Sequence, residues 1–240
     1  MKEIKKYLTL YDLLLANGGK KIAAVLGLSA IAEGVLLYIM MQKETLYYEN
    51  LFARGAALPL MIGFVALAAV LFNPMKQNKS RLNYTLYRLR VNAKALYFTE
   101  LVHSVIVFAA FWGLSLLLLY SFGLYFTQNV SEALNRETGI LLAFGRCHQL
   151  WFLLPVGNAS CVARNIIGVL ALAAAIARFN FFQREGKLRF IAPLLVLWLF
   201  TRGFYVEINN AEANLYSMAA MLIIGLFAVL SVILTDEVEE

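Results

Sequence analysis

Charge is what this chain has least of. Asp, Glu, Lys and Arg make up 15% of its 240 residues, against about 25% in ordinary soluble domains. With 61% hydrophobic residues, no segment is left from which a soluble domain of usual size could be built. Cysteine is also scarce. Cys147 and Cys161 are the two present, too few for a disulfide framework. The two histidines, His103 and His148, come without the paired Glu and His motifs of a metal-dependent membrane protease. No G-x-S-x-G is present for a serine nucleophile, and no G-x-x-x-x-G-K-[ST] for nucleotide phosphates. "ANGGKKI" (16–22) has glycines and lysines but neither the spacing nor the hydroxyl. The expectation is a non-catalytic chain with no resident cofactor or metal.

What is there is hydrocarbon, in blocks of roughly twenty residues, the length that crosses about 30 Å of bilayer core at 1.5 Å per residue. The fold class is all-α, a polytopic membrane protein forming a single transmembrane domain over 1–240. Six spans are expected: 22–41, 56–73, 99–126, 162–183, 190–208 and 214–234. Lys20 and Lys21 precede an apolar run, and "AIA" (30–32) resembles a cleavage site. The run continues through Met41, so an uncleaved first span is the better reading.

The net charge of +6 is then a statement about sides of a membrane, not about nucleic acid. With the N-terminus inside, the inner segments hold every Lys and Arg except Lys43, Arg54, Arg136, Arg146, Arg164 and Arg202. The positive-inside bias therefore puts both termini in the cytoplasm. One segment strains the count. "GILLAFGRCHQLWFLLPVG" (139–157) is apolar enough for a seventh span, yet Arg146, His148 and Gln149 would lie at its centre, where charge is costly. A half-inserted helix within an outer segment 127–161, ended near Pro155 and with Trp151 at interfacial depth, is preferred.

Two inner segments read as amphipathic. "NPMKQNKSRLNYTLYRLRVNAKALYFTE" (73–100) holds six Lys and Arg and no acid before Glu100. Leu82, Leu86, Leu89, Ala93 and Leu96 share one helical face, and Arg81, Thr85, Arg88 and Asn92 another. A helix over 81–96 is expected, within a cytoplasmic segment 75–97. A topology signal or a patch for anionic headgroups needs only the charge; the sustained apolar face suits a docking partner. In the N-terminal stretch, 1–19, Ile4, Leu8, Tyr11 and Leu15 share a face. This reads as a helix flat on the inner leaflet before Gly18-Gly19 turns the chain into the membrane.

This order resembles the membrane subunit of a type-2 ABC transporter, an exporter-like permease with six spans. The matching local stretches are "LYRLRVNAKALYFTELVHS" (86–104), "LLPVGN" (153–158) and "RFNFFQREGKLR" (178–189). The family often has Pro after the Leu of the coupling motif, where this chain has Arg90. The resemblance implies that 1–19 is the elbow helix and that Arg81, Leu82, Leu86, Arg88, Leu89 and Arg90 form the coupling helix in a groove of the ATPase. It implies an ABC ATPase as a separate chain, in two copies, carrying the ATP and Mg. It further implies a second permease, identical or related, and a place in the bacterial cytoplasmic membrane. Small permeases of this type are associated with export of amphipathic or peptide-like substrates and with resistance to peptide antibiotics.

The alternative is a substrate-capturing six-span component of an uptake system, with an outer pocket built by Arg146, His148 and Trp151. Individual residues leave further choices. Glu33 and Arg202 lie at similar depth in spans one and five, and an ion pair between them would either join the spans or line a pathway. Cys147 and Cys161 fall on one side, as a disulfide or as two thiols. Glu100 and His103 form a single E-x-x-H, short of the two copies and extra acids a di-iron bundle needs. Glu100 is expected to pair with Lys94 or with the ATPase.

Overall fold

Apolar blocks of this length fold as helices because a helix satisfies its own backbone polar groups. A computed structural model describes residues 2–42, 48, 51, 58–72, 92–129, 138–155, 158–184, 186, 187, 189–203 and 211–235. The elements are α1 (Lys2–Met41), α2 (Leu58–Leu71), α3 (Ala93–Asn129), α4 (Thr138–Arg146), α5 (His148–Leu153), α6 (Ala159–Arg184), α7 (Ile191–Arg202) and α8 (Ala211–Ile233). No strand occurs among the described residues. Among the described residues, four helical stretches are long and apolar enough to cross a membrane: Gly18–Met41, Ala93–Gln128, Ala159–Arg184 and Glu212–Ile233. The expected second and fifth spans are shorter apolar helices, α2 and α7.

The core is built around α6, in which every residue from Ala171 to Phe182 is buried. It packs on α8 most extensively, then on α3 and α7. Small residues permit this closeness. A Cβ at Gly225 of α8 would stand 3.1 Å from Cα of Ala171. On the other side, α1 packs on α2 and α3. The buried positions of α2, Leu60, Phe64, Leu67, Ala68 and Leu71, follow one helical face. Phe64 stacks on Phe200 of α7 at 4.8 Å and lies 4.9 Å from Phe108 of α3.

Two expectations about the ends of helices need correction. The N-terminal stretch does not turn at Gly18-Gly19; α1 is helical from Lys2 through both glycines. The stripe expected to meet the leaflet lies on the outside of the bundle. Leu8 and Leu15 are 58% and 41% exposed, whereas Leu10 and Leu14 are 1% and 2% exposed. "YLTLYDLLLA" carries leucine around most of the helix, so periodicity alone could not choose the buried side. Likewise α3 starts at Ala93, so a helix running unbroken over 81–96 does not form. Asn92 is its N-cap, with Oδ1 accepting from the Lys94 amide at 2.7 Å. This satisfies a first-turn donor that would otherwise be orphaned. The rest of that expected helix, 81–91, lies outside the described residues.

The 139–157 segment forms two short helices broken at Cys147, whose backbone is extended (φ −91, ψ 123). Neither is long enough to span. Leu153 at its end reaches the middle of α3, where its carbonyl accepts from Trp112 Nε1 at 2.9 Å. The far end of α6 closes in a Schellman motif. Lys187 N–H reaches Phe182 O at 2.9 Å, Gly186 N–H reaches Gln183 O at 3.1 Å, and Gly186 takes φ +82. That left-handed conformation favours glycine.

Candidate functional site

Most of the polar residues buried in this hydrocarbon gather at the two ends of α6. One end is where α3 begins and α2, α6 and α8 finish; Lys94, Arg178, Arg184, Lys187 and Arg189 make it basic. Here Tyr97, Glu100 and His103 occur every third residue along α3, which places them on one stripe. All three are buried. Glu100 forms an ion pair with Arg184 of α6. The His103 ring meets the Tyr11 ring of α1 edge-on at 5.4 Å. Asn180 of α6 donates Nδ2 to Leu71 O of α2 at 3.1 Å, and Lys94 donates Nζ to Ile233 O of α8 at 3.1 Å. Two helix C-termini thus have last-turn carbonyls satisfied by side chains, one of them by a cation that also suits the negative end of the helix dipole.

This end is incompletely satisfied. Tyr97 OH, Glu100 Oε2, His103 Nδ1 and Asn180 Oδ1 are buried with no hydrogen-bond partner. Each such group costs about 1–3 kcal/mol relative to a paired one. Chemically, the stripe offers acceptors and a phenol beside a guanidinium. Among the described residues there is no group of three or more His, Cys, Asp or Glu able to hold a metal ion.

At the opposite end Arg164 of α6 is buried with no acid paired to it among the described residues. Its Nε and Nη2 donate to Asn165 Oδ1 at 3.3 and 3.0 Å, and Nη1 donates to Asn214 Oδ1 of α8. Its guanidinium lies 5.0 Å from the Phe152 ring centroid. Asn165 Nδ2 donates to Phe152 O at 2.6 Å, and Asn214 Nδ2 to Cys161 Sγ at 3.4 Å. This network ties α5, α6 and α8 together. It fits the rule that a buried charge must be heavily hydrogen-bonded.

The residues singled out by sequence are dispersed. Glu33 is buried on α1 with Oε1 unpartnered. Arg202 is exposed at the end of α7 with its guanidinium 5.8 Å from the Trp198 centroid. The expected Glu33–Arg202 pair is not formed: Glu33 lies buried within α1 and Arg202 exposed at the last position of α7. Cys147 and Cys161 are buried thiols, not a disulfide, and Cys161 instead accepts from Asn214. Trp151 is buried and Arg146 exposed, while the side chain of His148 lies outside the described residues. Arg81, Leu82, Leu86, Arg88, Leu89 and Arg90 also lie outside them. Glu100 finds Arg184 and not Lys94. Sequence reasoning missed Asn165, Asn180 and Asn214. The signal available was an amide inside an apolar helix, which has to find a partner.

No protein-family model, no curated protein and no solved structure matches this chain.

Proposed function

We propose that this chain is the membrane-spanning, non-catalytic subunit of an ATP-driven transporter, with its basic end in the bacterial cytoplasm and both termini on that side. α2 and α7 serve as short fifth and sixth spans beside the four long helices. At 14 and 12 residues they are about 21 and 18 Å long, a mismatch met by local thinning or flanking residues. A separate ABC ATPase, in two copies, carries ATP and Mg, and a second permease completes the pathway.

The observation that carries this reading is the Glu100–Arg184 ion pair. It joins the start of α3, which follows directly on the basic 73–91 stretch, to the end of α6, which leads into the basic Lys187–Arg189 link. A partner moving the 81–91 segment would pull α3, and through Glu100 would pull α6, the most buried helix. That is a mechanical route from a docked ATPase to the spans. The cargo reading is supported by a groove of ≈ 500 Å³ between α3, α5 and α6, lined by apolar side chains such as Phe108, Leu116, Leu153 and Val169. Such a lining suits an amphipathic or peptide-like substrate better than the polar outer pocket of a substrate-capturing uptake component.

The test is a mild-detergent purification of the native protein, with mass spectrometry of what accompanies it and an ATPase assay. A stoichiometric partner with a phosphate-binding loop is expected, lost in Leu82→Asp, Leu86→Asp and Leu89→Asp. A purified chain with no ATPase in attendance would remove the reading.

A further inference from the structure

Arg178 of α6 and Arg189, just before α7, share one aromatic ring. Their guanidinium carbons lie 5.1 and 4.4 Å from the Phe182 centroid. Arg178 also lies 4.8 Å from the Phe227 centroid of α8 and donates Nε to Ser231 Oγ at 2.6 Å. It is 5% exposed, and no ion pair among the described residues reaches either arginine. Glu100, the buried acid at this end, is taken by Arg184. Two guanidinium groups gathered with no counter-charge among the described residues repel each other, and planar guanidinium forks match phosphate oxygens.

An apolar groove of ≈ 300 Å³ lies further along the same helices, between α3, α6 and α8, lined by Leu101, Ile167, Leu170, Ala174, Leu226 and Val229 among others. Ala174 is one turn from Arg178, and Leu101 one turn from Tyr97, both on the side away from the basic end. From Ile167 to Arg178 the helix rises about 16 Å. We propose that this is a binding site for one anionic phospholipid. The phosphate sits at Arg178 and Arg189, and an acyl chain lies in the groove. A soluble phosphate would use the same guanidinium groups and leave the groove empty, so the groove assigns the ligand to the membrane.

The test is native mass spectrometry of the full chain, purified in a zwitterionic detergent and titrated with phosphatidylglycerol, with phosphatidylcholine, and with inorganic phosphate as competitor. Two basic side chains near a headgroup give an expected preference for the anionic lipid of about thirtyfold. Arg189 is exposed, so Arg189→Gln should fold, and it should lose about fivefold of that preference. Arg178→Gln with Arg189→Gln should abolish it. Arg202→Gln, at the other end of the molecule, should leave it unchanged. Equal retention of the two lipids, or an unaltered preference in Arg189→Gln, would overturn the site. Displacement of the lipid by equimolar inorganic phosphate would overturn its assignment to a lipid.

Discussion

Glu100 of α3 and Arg184 of α6 form an ion pair whose two halves are unequally hidden, with side chains 3% and 26% exposed. The two residues are 84 positions apart, and the pair joins the basic ends of two long helices. Unequal burial makes the two single substitutions unequal. Arg184→Gln leaves a buried carboxylate without its counter-charge, and such losses cost about 3–5 kcal/mol. Glu100→Gln leaves a partly exposed guanidinium that can turn to water, so its cost should be about 1 kcal/mol, that of an ordinary hydrogen bond. Thermal unfolding of the detergent-solubilised protein measures both. Equal destabilisation, or a larger effect of Glu100→Gln, would mean that the pair does not carry the contact.

Glycine positions give a second contrast. A Cβ at Gly225 would press on the backbone of Ala171 at 3.1 Å, and backbone does not move aside as a side chain tip does. Gly225→Ala should destabilise by about 1–3 kcal/mol, the range for overpacking. Gly27 of α1 has nothing within 4 Å of where its Cβ would stand. There Gly27→Ala gains the helix propensity of alanine, up to about 1 kcal/mol. Opposite signs of the shift in unfolding temperature are the expected outcome.

How much of this was legible in the sequence follows from what periodicity can and cannot encode. Apolar blocks fix the existence of helices, and the four long ones lie where the hydrocarbon runs lie. The start of α3 needed a finer reading. Asn92 was taken for a residue on a helical face, but a short amide followed two residues later by an accessible N–H is also a cap. The buried side of α1 was not legible, because leucine appears on several faces and only the position of α3 decides which one packs. Polar partners were the hardest. Glu100 was visible as a boundary charge, but its choice of Arg184 over the nearer Lys94 depends on how α3 and α6 are set side by side. Lys94 spends its ammonium on the α8 terminus instead. Glu33 and Arg202 show the same limit from the other direction, since a similar residue count along two spans does not bring two side chains together.

The cysteines supply a prediction about reactivity. Cys147 and Cys161 are buried and unbridged, and burial keeps a thiol inert. Intact membranes treated with a maleimide should label neither residue quickly, and unfolding in detergent should expose both. Mobility on a denaturing gel should be the same with and without reductant. A reductant-sensitive shift would restore the disulfide reading.

The last prediction concerns Arg164, whose hydrogen-bond and ring partners among the described residues are neutral: Asn165, Asn214 and the Phe152 ring. The guanidinium is a planar fork, with Nε and Nη2 on one amide oxygen and Nη1 on another. A lysine ammonium is a point donor and cannot span both amides in that plane. Arg164→Lys keeps the charge, so if charge were the function it would behave like the parent. The fork argument says otherwise. Arg164→Lys should lose about as much stability as Arg164→Met, on the order of 2–4 kcal/mol for two buried amide oxygens left unsatisfied. Adding Asn214→Leu to Arg164→Met removes one of those orphaned amides and should recover part of the loss. A lysine variant as stable as the parent would show that this end of α6 needs a positive charge, and would reopen the search for the anion it meets.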